Sequence, residues 1–146
     1  MKSCEQISLI LDFAQKWLGI KNPLFRESFE ILSRDGTRWY GSYYPRSKKM
    51  CFNGSPSLFT IFHESVHFYQ DERGMIFDCF IHLHKERRMK AYLDSEQEIE
   101  ADLLAALMRR DFEVEKRRKD YRHNLFWSGK SKTFKDVGVK EVERFA

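Results

Sequence analysis

Two histidines and a glutamate near the middle of the chain have the types and spacing of a metal-dependent reaction centre. They stand in the run His63-Glu64-Ser65-Val66-His67. Residues four apart lie on one face of an α-helix, so His63 and His67 can offer two ring nitrogens to one metal ion. Glu64 can then take a proton from a water on that metal. The pattern predicts a metal site with a general base, if a helix carries it and a third ligand completes it.

The residues around the motif predict the helix. Ser55-Pro56-Ser57 is a helix-start signal, with serine as the cap and proline in the first turn, and Arg73-Gly74 is an end signal. An apolar stripe recurs at spacings of three or four, formed by Leu58, Phe62, Val66 and Tyr69. His63 and His67 lie on another face, so we expect one side of the helix to pack on a core. The alternative is a helix whose histidines only form hydrogen bonds.

A third metal ligand must come from elsewhere in the chain, because a catalytic zinc typically has three protein ligands and a water. The downstream candidates are Glu96, Glu98, Glu100, His82 and His84. His82 and His84 would share a face only on a strand. Histidines in that setting are more often surface or core residues than ligands.

A second helix is predicted over residues 94–108. Its apolar stripe consists of Ile99, Leu103, Ala106 and Leu107. Glu98 and Asp102 are four apart and share a different face. The small residues Ala101 and Ala105 lie near that face, so another helix could approach closely there.

The start of this second helix offers two capping boxes. One runs from Ser95 to Glu98 and would use the Glu98 carboxylate on the backbone. The other runs from Asp94 to Gln97 and leaves Glu98 free to bind a metal.

With these two motifs the chain resembles the gluzincin metallopeptidases, which pair H-E-x-x-H with a downstream glutamate helix carrying E-x-x-x-D. The matching residues are His63-Glu64-x-x-His67 and Glu98-Ile99-Glu100-Ala101-Asp102. The E-x-E-A-D run is also similar to that of the minigluzincins and of the ImmA/IrrE-type and SprT-like peptidases. The resemblance covers about residues 37–112 and is specific at the two motifs.

The resemblance implies a site and an activity. It implies Zn²⁺ bound by His63, His67 and Glu98, with Asp102 orienting a ligand histidine. It implies that Glu64 is the general base of a zinc-dependent endopeptidase, whose partner is a protein or peptide substrate.

The predicted elements give an α+β fold, a minimal zincin-like domain. A first helix is expected over residues 4–19, and strands over residues 27–33, 38–44 and 49–53. Asp35-Gly36 favours a tight hairpin between the first two strands, so we expect a small antiparallel sheet before the active-site helix and the glutamate helix. We expect one domain over residues 1–146, with a motif core at about 37–112 and a basic C-terminal extension over 113–146.

In zincins, a strand just before the H-E-x-x-H helix commonly forms the rim of the cleft. By resemblance, that strand here consists of Met50, Cys51, Phe52 and Asn53. An extended peptide could add to its free edge through main-chain hydrogen bonds. The alternative is an ordinary edge strand that Lys48 and Lys49 protect from pairing.

Composition limits the class of protein. The 146 residues carry a formal net charge of +4, and basic residues cluster late in the chain. Three widely spaced cysteines without a C-x-x-C pair fit a reducing compartment. We expect the first residues to form an amphipathic packing helix and not a signal peptide, and no segment reaches the roughly 18 apolar residues of a membrane span. We therefore expect a cytoplasmic protein without a membrane anchor.

Two alternative functions remain open from the sequence. A DNA-associated or repressor-cleaving protease of the SprT or ImmA kind would use the late basic stretch to contact nucleic acid, although neither a zinc ribbon nor a helix-turn-helix is evident. A non-catalytic zinc-binding interaction protein is the other alternative. A structural zinc site prefers four protein ligands, usually with cysteine, and neither motif helix contains a cysteine.

Overall fold

The computed structural model describes residues 2–32, 40–75 and 95–127, with side chains to residue 122. Its elements are α1 (Cys4–Leu18), a 3-10 turn (Phe25–Glu27), β1 (Phe29–Leu32), β2 (Gly41–Tyr44), β3 (Lys49–Asn53), α2 (Leu58–Glu72) and α3 (Glu96–Trp127). These helices and strands confirm the predicted α+β class. The chain divides into two compact units, residues 1–110 and residues 111–146.

The three strands form a mixed sheet in the order β1-β3-β2. β2 and β3 pair antiparallel, as predicted, with Gly41 opposite Phe52. β1 pairs with β3 in parallel, with Phe29 opposite Met50. The prediction of a wholly antiparallel sheet with a β1–β2 hairpin is therefore wrong. The local Asp-Gly signal did not determine the pairing, because β3 lies between the two strands that it was expected to join.

α1 and α2 form the core with the sheet. The apolar face of α1 buries Ile7, Ile10, Leu11 and Ala14. α2 buries Ile61, Phe62, Val66 and Phe68, and the ring of Phe68 meets the edge of Phe25 at 4.9 Å between centroids. α2 begins at Leu58 with Ser57 as its cap, whose Oγ accepts a hydrogen bond from the Thr60 N–H at 3.1 Å. Pro56 thus precedes the cap and does not lie in the first turn as predicted.

α3 has the opposite face buried from the one that its apolar stripe predicted. Ile99, Leu103 and Leu107 are 48%, 62% and 40% exposed, and Ala106 is exposed as well. The buried side chains of this helix are Glu98, Ala101, Ala105 and Met108. The small alanines allow close approach, so Glu98 and its face turn inward and the larger aliphatic residues turn outward. The helix also continues beyond the predicted residue 108, to Trp127.

Several sequence predictions fall outside the described residues. They concern the Asp35-Gly36 turn and the candidate ligands His82 and His84. None of the helices in the described part of the chain has the length and apolar character needed to cross a membrane.

Candidate metal centre

α2 brings the two histidines of the H-E-x-x-H run together. The Nε2 atoms of His63 and His67 lie 3.1 Å apart, and the two rings meet edge to face with centroids 4.7 Å apart. The face that carries them is directed toward α3. The helical spacing of four residues therefore has the expected effect of aiming two ring nitrogens at one point.

α3 supplies a carboxylate at the same point. Glu98 Oε2 lies 2.8 Å from His63 Nε2 and 3.4 Å from His67 Nε2. Ser95 caps the helix, because its Oγ accepts a hydrogen bond from the Glu98 N–H at 3.3 Å. Only the backbone of Glu98 takes part in this cap, so its carboxylate remains at the histidines.

The three atoms have the geometry of ligands to a single metal ion. In a tetrahedral zinc site with bonds of about 2.0–2.1 Å, neighbouring ligand atoms are about 3.3 Å apart. The three separations here are 2.8, 3.1 and 3.4 Å. His63, His67 and Glu98 could therefore hold a metal ion.

The charges in this cluster favour the ionised carboxylate. Burial raises the pKa of the Glu98 carboxyl group. The hydrogen bonds that it accepts from His63 and His67 lower this pKa by more than burial raises it, so the pKa lies well below its usual range. Burial lowers the pKa of His63, whereas the hydrogen bond that His63 donates to Glu98 and the charges of Glu64, Glu98 and Asp102 raise it, to about 9. Without a metal, protons on the histidines would thus balance the negative charge of the buried carboxylates. A bound metal cation would supply this positive charge in place of the protons.

Glu64 lies buried beside the ligands, with 6% of its surface exposed. Burial raises the pKa of its carboxyl group, and the nearby His67 and His63 oppose that shift. A carboxylate with a raised pKa is a stronger base than an exposed one, and it can accept a proton and return it. The site thus contains a candidate base in addition to the three candidate ligands.

Each ligand histidine has a polar neighbour at its other ring nitrogen. Asp102 Oδ1 lies 2.9 Å from His63 Nδ1, the histidine that the resemblance implies it would orient, but the contact lacks the geometry of a hydrogen bond. Gln70 Oε1 lies 2.8 Å from His67 Nδ1. Sequence reasoning missed Gln70, and its only signal was its place three residues after His67 on the same helix face.

The remaining acidic candidates lie away from the three ligand atoms. Glu100 Oε1 accepts a hydrogen bond from Gln70 Nε2 at 3.0 Å. Glu96 is exposed in the first turn of α3. The structure therefore brings Glu98 to the histidines. Glu100 contacts Gln70, which in turn contacts His67.

The predicted free edge at Met50, Cys51, Phe52 and Asn53 is wrong. These residues form β3, the central strand, whose two sides pair with β1 and β2. All four are buried. The main chain of β3 pairs with a neighbouring strand on each side, so β3 has no free edge to which a peptide could add.

The strand beside the site is β2. A Cβ atom built on Gly41 would lie 2.8 Å from Thr60 Cγ2 and 3.1 Å from Glu64 Cγ. Only glycine allows β2 and α2 to approach this closely. Further along β2, the Tyr43 hydroxyl donates a hydrogen bond to Asp71 Oδ2. Both contacts hold β2 against the helix that carries the histidines.

Phe59 lies beside His63 and Arg109 lies over Phe59, and no sequence pattern indicated either contact. The ring of Phe59 lies 6.0 Å from the ring of His63, between centroids. The guanidinium carbon of Arg109 lies 5.7 Å from the centroid of Phe59. The lysines and arginines beyond Arg109 are exposed as far as residue 122, and Lys119 pairs with Glu115 at 3.3 Å.

No protein-family model, curated protein or solved structure matches this chain.

Proposed function

We propose that this protein is a zinc-dependent endopeptidase of the gluzincin type, which hydrolyses peptide bonds in a protein or peptide substrate. The observation that carries the proposal is the convergence of His63 Nε2, His67 Nε2 and Glu98 Oε2 beside a buried fourth residue, Glu64. Three protein ligands of this kind are typical of catalytic zinc, whereas structural zinc usually has four.

The donor set fits zinc. Two imidazole nitrogens and one carboxylate oxygen are the ligands of a known class of catalytic zinc sites. His63, His67 and Glu98 would hold the ion. When bound, zinc would polarise the substrate carbonyl and lower the pKa of water.

Glu64 would carry the proton in this reaction. It would accept a proton from the attacking water and return it to the nitrogen of the leaving amine. Its burial raises its pKa, which favours the protonated form that the second step needs. A metal site without catalysis would have no need for a buried carboxylate that is not a ligand.

The edge of β2 supports a peptide substrate. Among the described strands, β2 has a neighbour on one side only. The Asn53 N–H bonds to Tyr40 O at 3.0 Å, and bonded and non-bonded residues alternate along an antiparallel pair. Gly41 and Tyr43 therefore direct their main-chain groups away from β3. An extended peptide could pair with these groups next to Glu64.

A cytoplasmic location is part of the proposal. It is supported by the odd number of cysteines, three in total, and by the free thiols of Cys4 and Cys51.

Removal and return of the metal would test the function. Protein treated with a chelator should lose cleavage of denatured casein and of quenched fluorescent peptides, and an equimolar amount of zinc should restore it. Glu64→Gln should reduce kcat by about 10³-fold, because it removes the base and keeps the shape. Cleavage that survives both treatments would refute the proposal.

A further inference from the structure

Gln70 is a fully buried polar side chain whose contacts all lie at the metal centre or at the junction of α2 and α3. Its amide nitrogen Nε2 donates to Gln97 O at 2.9 Å and to Glu100 Oε1 at 3.0 Å. Its amide oxygen Oε1 lies 2.8 Å from His67 Nδ1. Each polar atom of the side chain thus has a partner.

These contacts fix which way the amide points. A carbonyl oxygen and a carboxylate oxygen only accept hydrogen bonds, so both must face the NH₂ group of Gln70. A flipped amide would place its oxygen against two acceptors at once and lose both bonds. The oxygen of Gln70 must therefore face His67.

The fixed amide in turn determines the form of the imidazole. An amide oxygen can only accept, so His67 Nδ1 must carry a hydrogen. In the neutral ring, the lone pair is then on Nε2. Nε2 is the atom that lies 3.1 Å from His63 Nε2 and 3.4 Å from Glu98 Oε2.

We propose that Gln70 is a positioning residue that holds His67 in its metal-binding tautomer, and that Glu100 and the Gln97 carbonyl hold Gln70 in turn. The inference rests on the proposed metal site and extends it to the contacts around the ligands. It gives Glu100 a role that neither its spacing nor its charge reveals.

The two histidines differ in how replaceable their second partners are. Asp102 Oδ1 lies 2.9 Å from His63 Nδ1 without the geometry of a hydrogen bond, and the side chain of Asp102 is 56% exposed. Gln70 is 0% exposed, so no solvent can take its place. Loss of Gln70 should therefore cost more metal affinity than loss of Asp102.

Co²⁺ binding to the full chain tests this inference. Gln70→Met keeps the length of the side chain and removes its hydrogen bonds. We expect it to weaken Co²⁺ and Zn²⁺ binding by about 10–100-fold, the usual cost of removing a second partner of a metal ligand. The visible absorption bands of bound Co²⁺ should also change, because the ring of His67 is no longer held.

Gln15→Met is the matched control. The Gln15 side chain on α1 donates to Ile20 O at 3.3 Å and to Asn22 O at 3.1 Å. The variant removes a glutamine side chain with two backbone partners away from the site and should leave Co²⁺ affinity within about twofold, because no ligand histidine loses a partner. Thermal unfolding of the two metal-free variants measures how much stability each one loses together with its hydrogen bonds.

A double variant provides the rescue. Gln70→Glu combined with Glu100→Gln keeps an acceptor at His67 and gives the other carboxylate oxygen a donor from the amide introduced at position 100, whereas Gln97 O loses its donor. It should recover part of the Co²⁺ affinity that Gln70→Met loses, because His67 regains its acceptor. If Gln70 had only a structural role, Gln70→Met would lower thermal stability and leave the Co²⁺ affinity and absorption spectrum unchanged.

The outcomes separate this inference from the proposed function. Unchanged Co²⁺ affinity and spectrum in Gln70→Met would overturn the inference, even if the wild type cleaves peptides. Weakened binding in Gln70→Met would support it, even if the wild type cleaves nothing. A wild-type protein that binds neither Co²⁺ nor Zn²⁺ would overturn both.

Discussion

At the scale of single residues, three carboxylates and one amide differ in role because they differ in position. Among the described residues, Glu98 contacts both histidines, Asp102 lies at His63, and Glu100 contacts Gln70. The three acids lie within five residues of one helix. Their separation around the helix axis gives each a different neighbour on α2.

Exchange of the two neighbouring glutamates for glutamine should have unequal effects. Glu98→Gln should abolish stoichiometric zinc binding, because it replaces the charged ligand in a buried site. Glu100→Gln should retain zinc and weaken its affinity by no more than about tenfold, because Glu100 acts through Gln70. Competition with a chromophoric chelator measures both. Equal losses in the two variants, or a larger loss in Glu100→Gln, would contradict the ligand assignment.

Sequence reasoning predicted the residues at the centre of the site and missed those that hold them. The pairing of His63 and His67 follows from spacing along one helix, whereas Glu98 and Asp102 were assigned by the resemblance of the two motifs. Gln70 escaped notice because its role depends on two acceptors that α3 brings to it. Contacts between elements distant in sequence are not encoded in helical periodicity.

At the scale of elements, the approach of β2 to α2 depends on Gly41. Gly41→Ala would place a methyl group 2.8 Å from the γ-methyl of Thr60, and threonine has little rotamer freedom on a helix. We expect a loss of about 1–3 kcal/mol in the free energy of unfolding, measured in urea. Adding Thr60→Ser removes that methyl group and should recover part of the loss. No loss in Gly41→Ala would show that the two elements are not in close contact.

The Tyr43–Asp71 hydrogen bond should give the protein a distinct response at high pH. Burial, then the hydrogen bond to Asp71, raise the pKa of Tyr43 above its usual 10.0. The unfolded chain therefore ionises first, so this contribution to stability is present below about pH 10 and is lost as the pH rises above it.

Tyr43→Phe tests that contact. It keeps the ring against Phe68 and removes the hydroxyl, so it should lower the free energy of unfolding at pH 8 by about 1.5–3 kcal/mol. The difference from wild type should shrink between about pH 10 and 11, as urea unfolding at several pH values would show. A difference that stays constant across this range would contradict the hydrogen bond.

The orientation of α3 can be checked by substituting its two faces. Leu103→Gln on the exposed face should change stability by less than about 0.5 kcal/mol. Met108→Ala on the buried face should cost about 2–5 kcal/mol. Thermal or urea unfolding would distinguish the two, and a larger cost for Leu103→Gln would restore the orientation that the apolar stripe predicted.

The elements show where prediction from sequence is limited. The positions of α1, α2 and the three strands follow from local patterns. The parallel pairing of β1 with β3 and the inward face of α3 do not, because each depends on which distant surface the element meets. In α3, close packing of Ala101 and Ala105 and the placement of Glu98 outweighed the burial of three larger aliphatic side chains.

At the scale of the whole molecule, the candidate site belongs entirely to the first compact unit, residues 1–110. Two helices supply its ligands and β2 lies along α2. Composition and net charge limited the class of protein but did not indicate an activity. The functional proposal therefore depends on one cluster of side chains and on the resemblance of its two motifs.

The most direct test measures zinc content and peptide cleavage on the same preparations of wild type and Glu64→Gln. We predict about one zinc per chain in both proteins, because Glu64 is not a ligand, with cleavage by the wild type and a loss of about 10³-fold in the variant. Wild-type protein without zinc, or cleavage that Glu64→Gln leaves intact, would contradict the account.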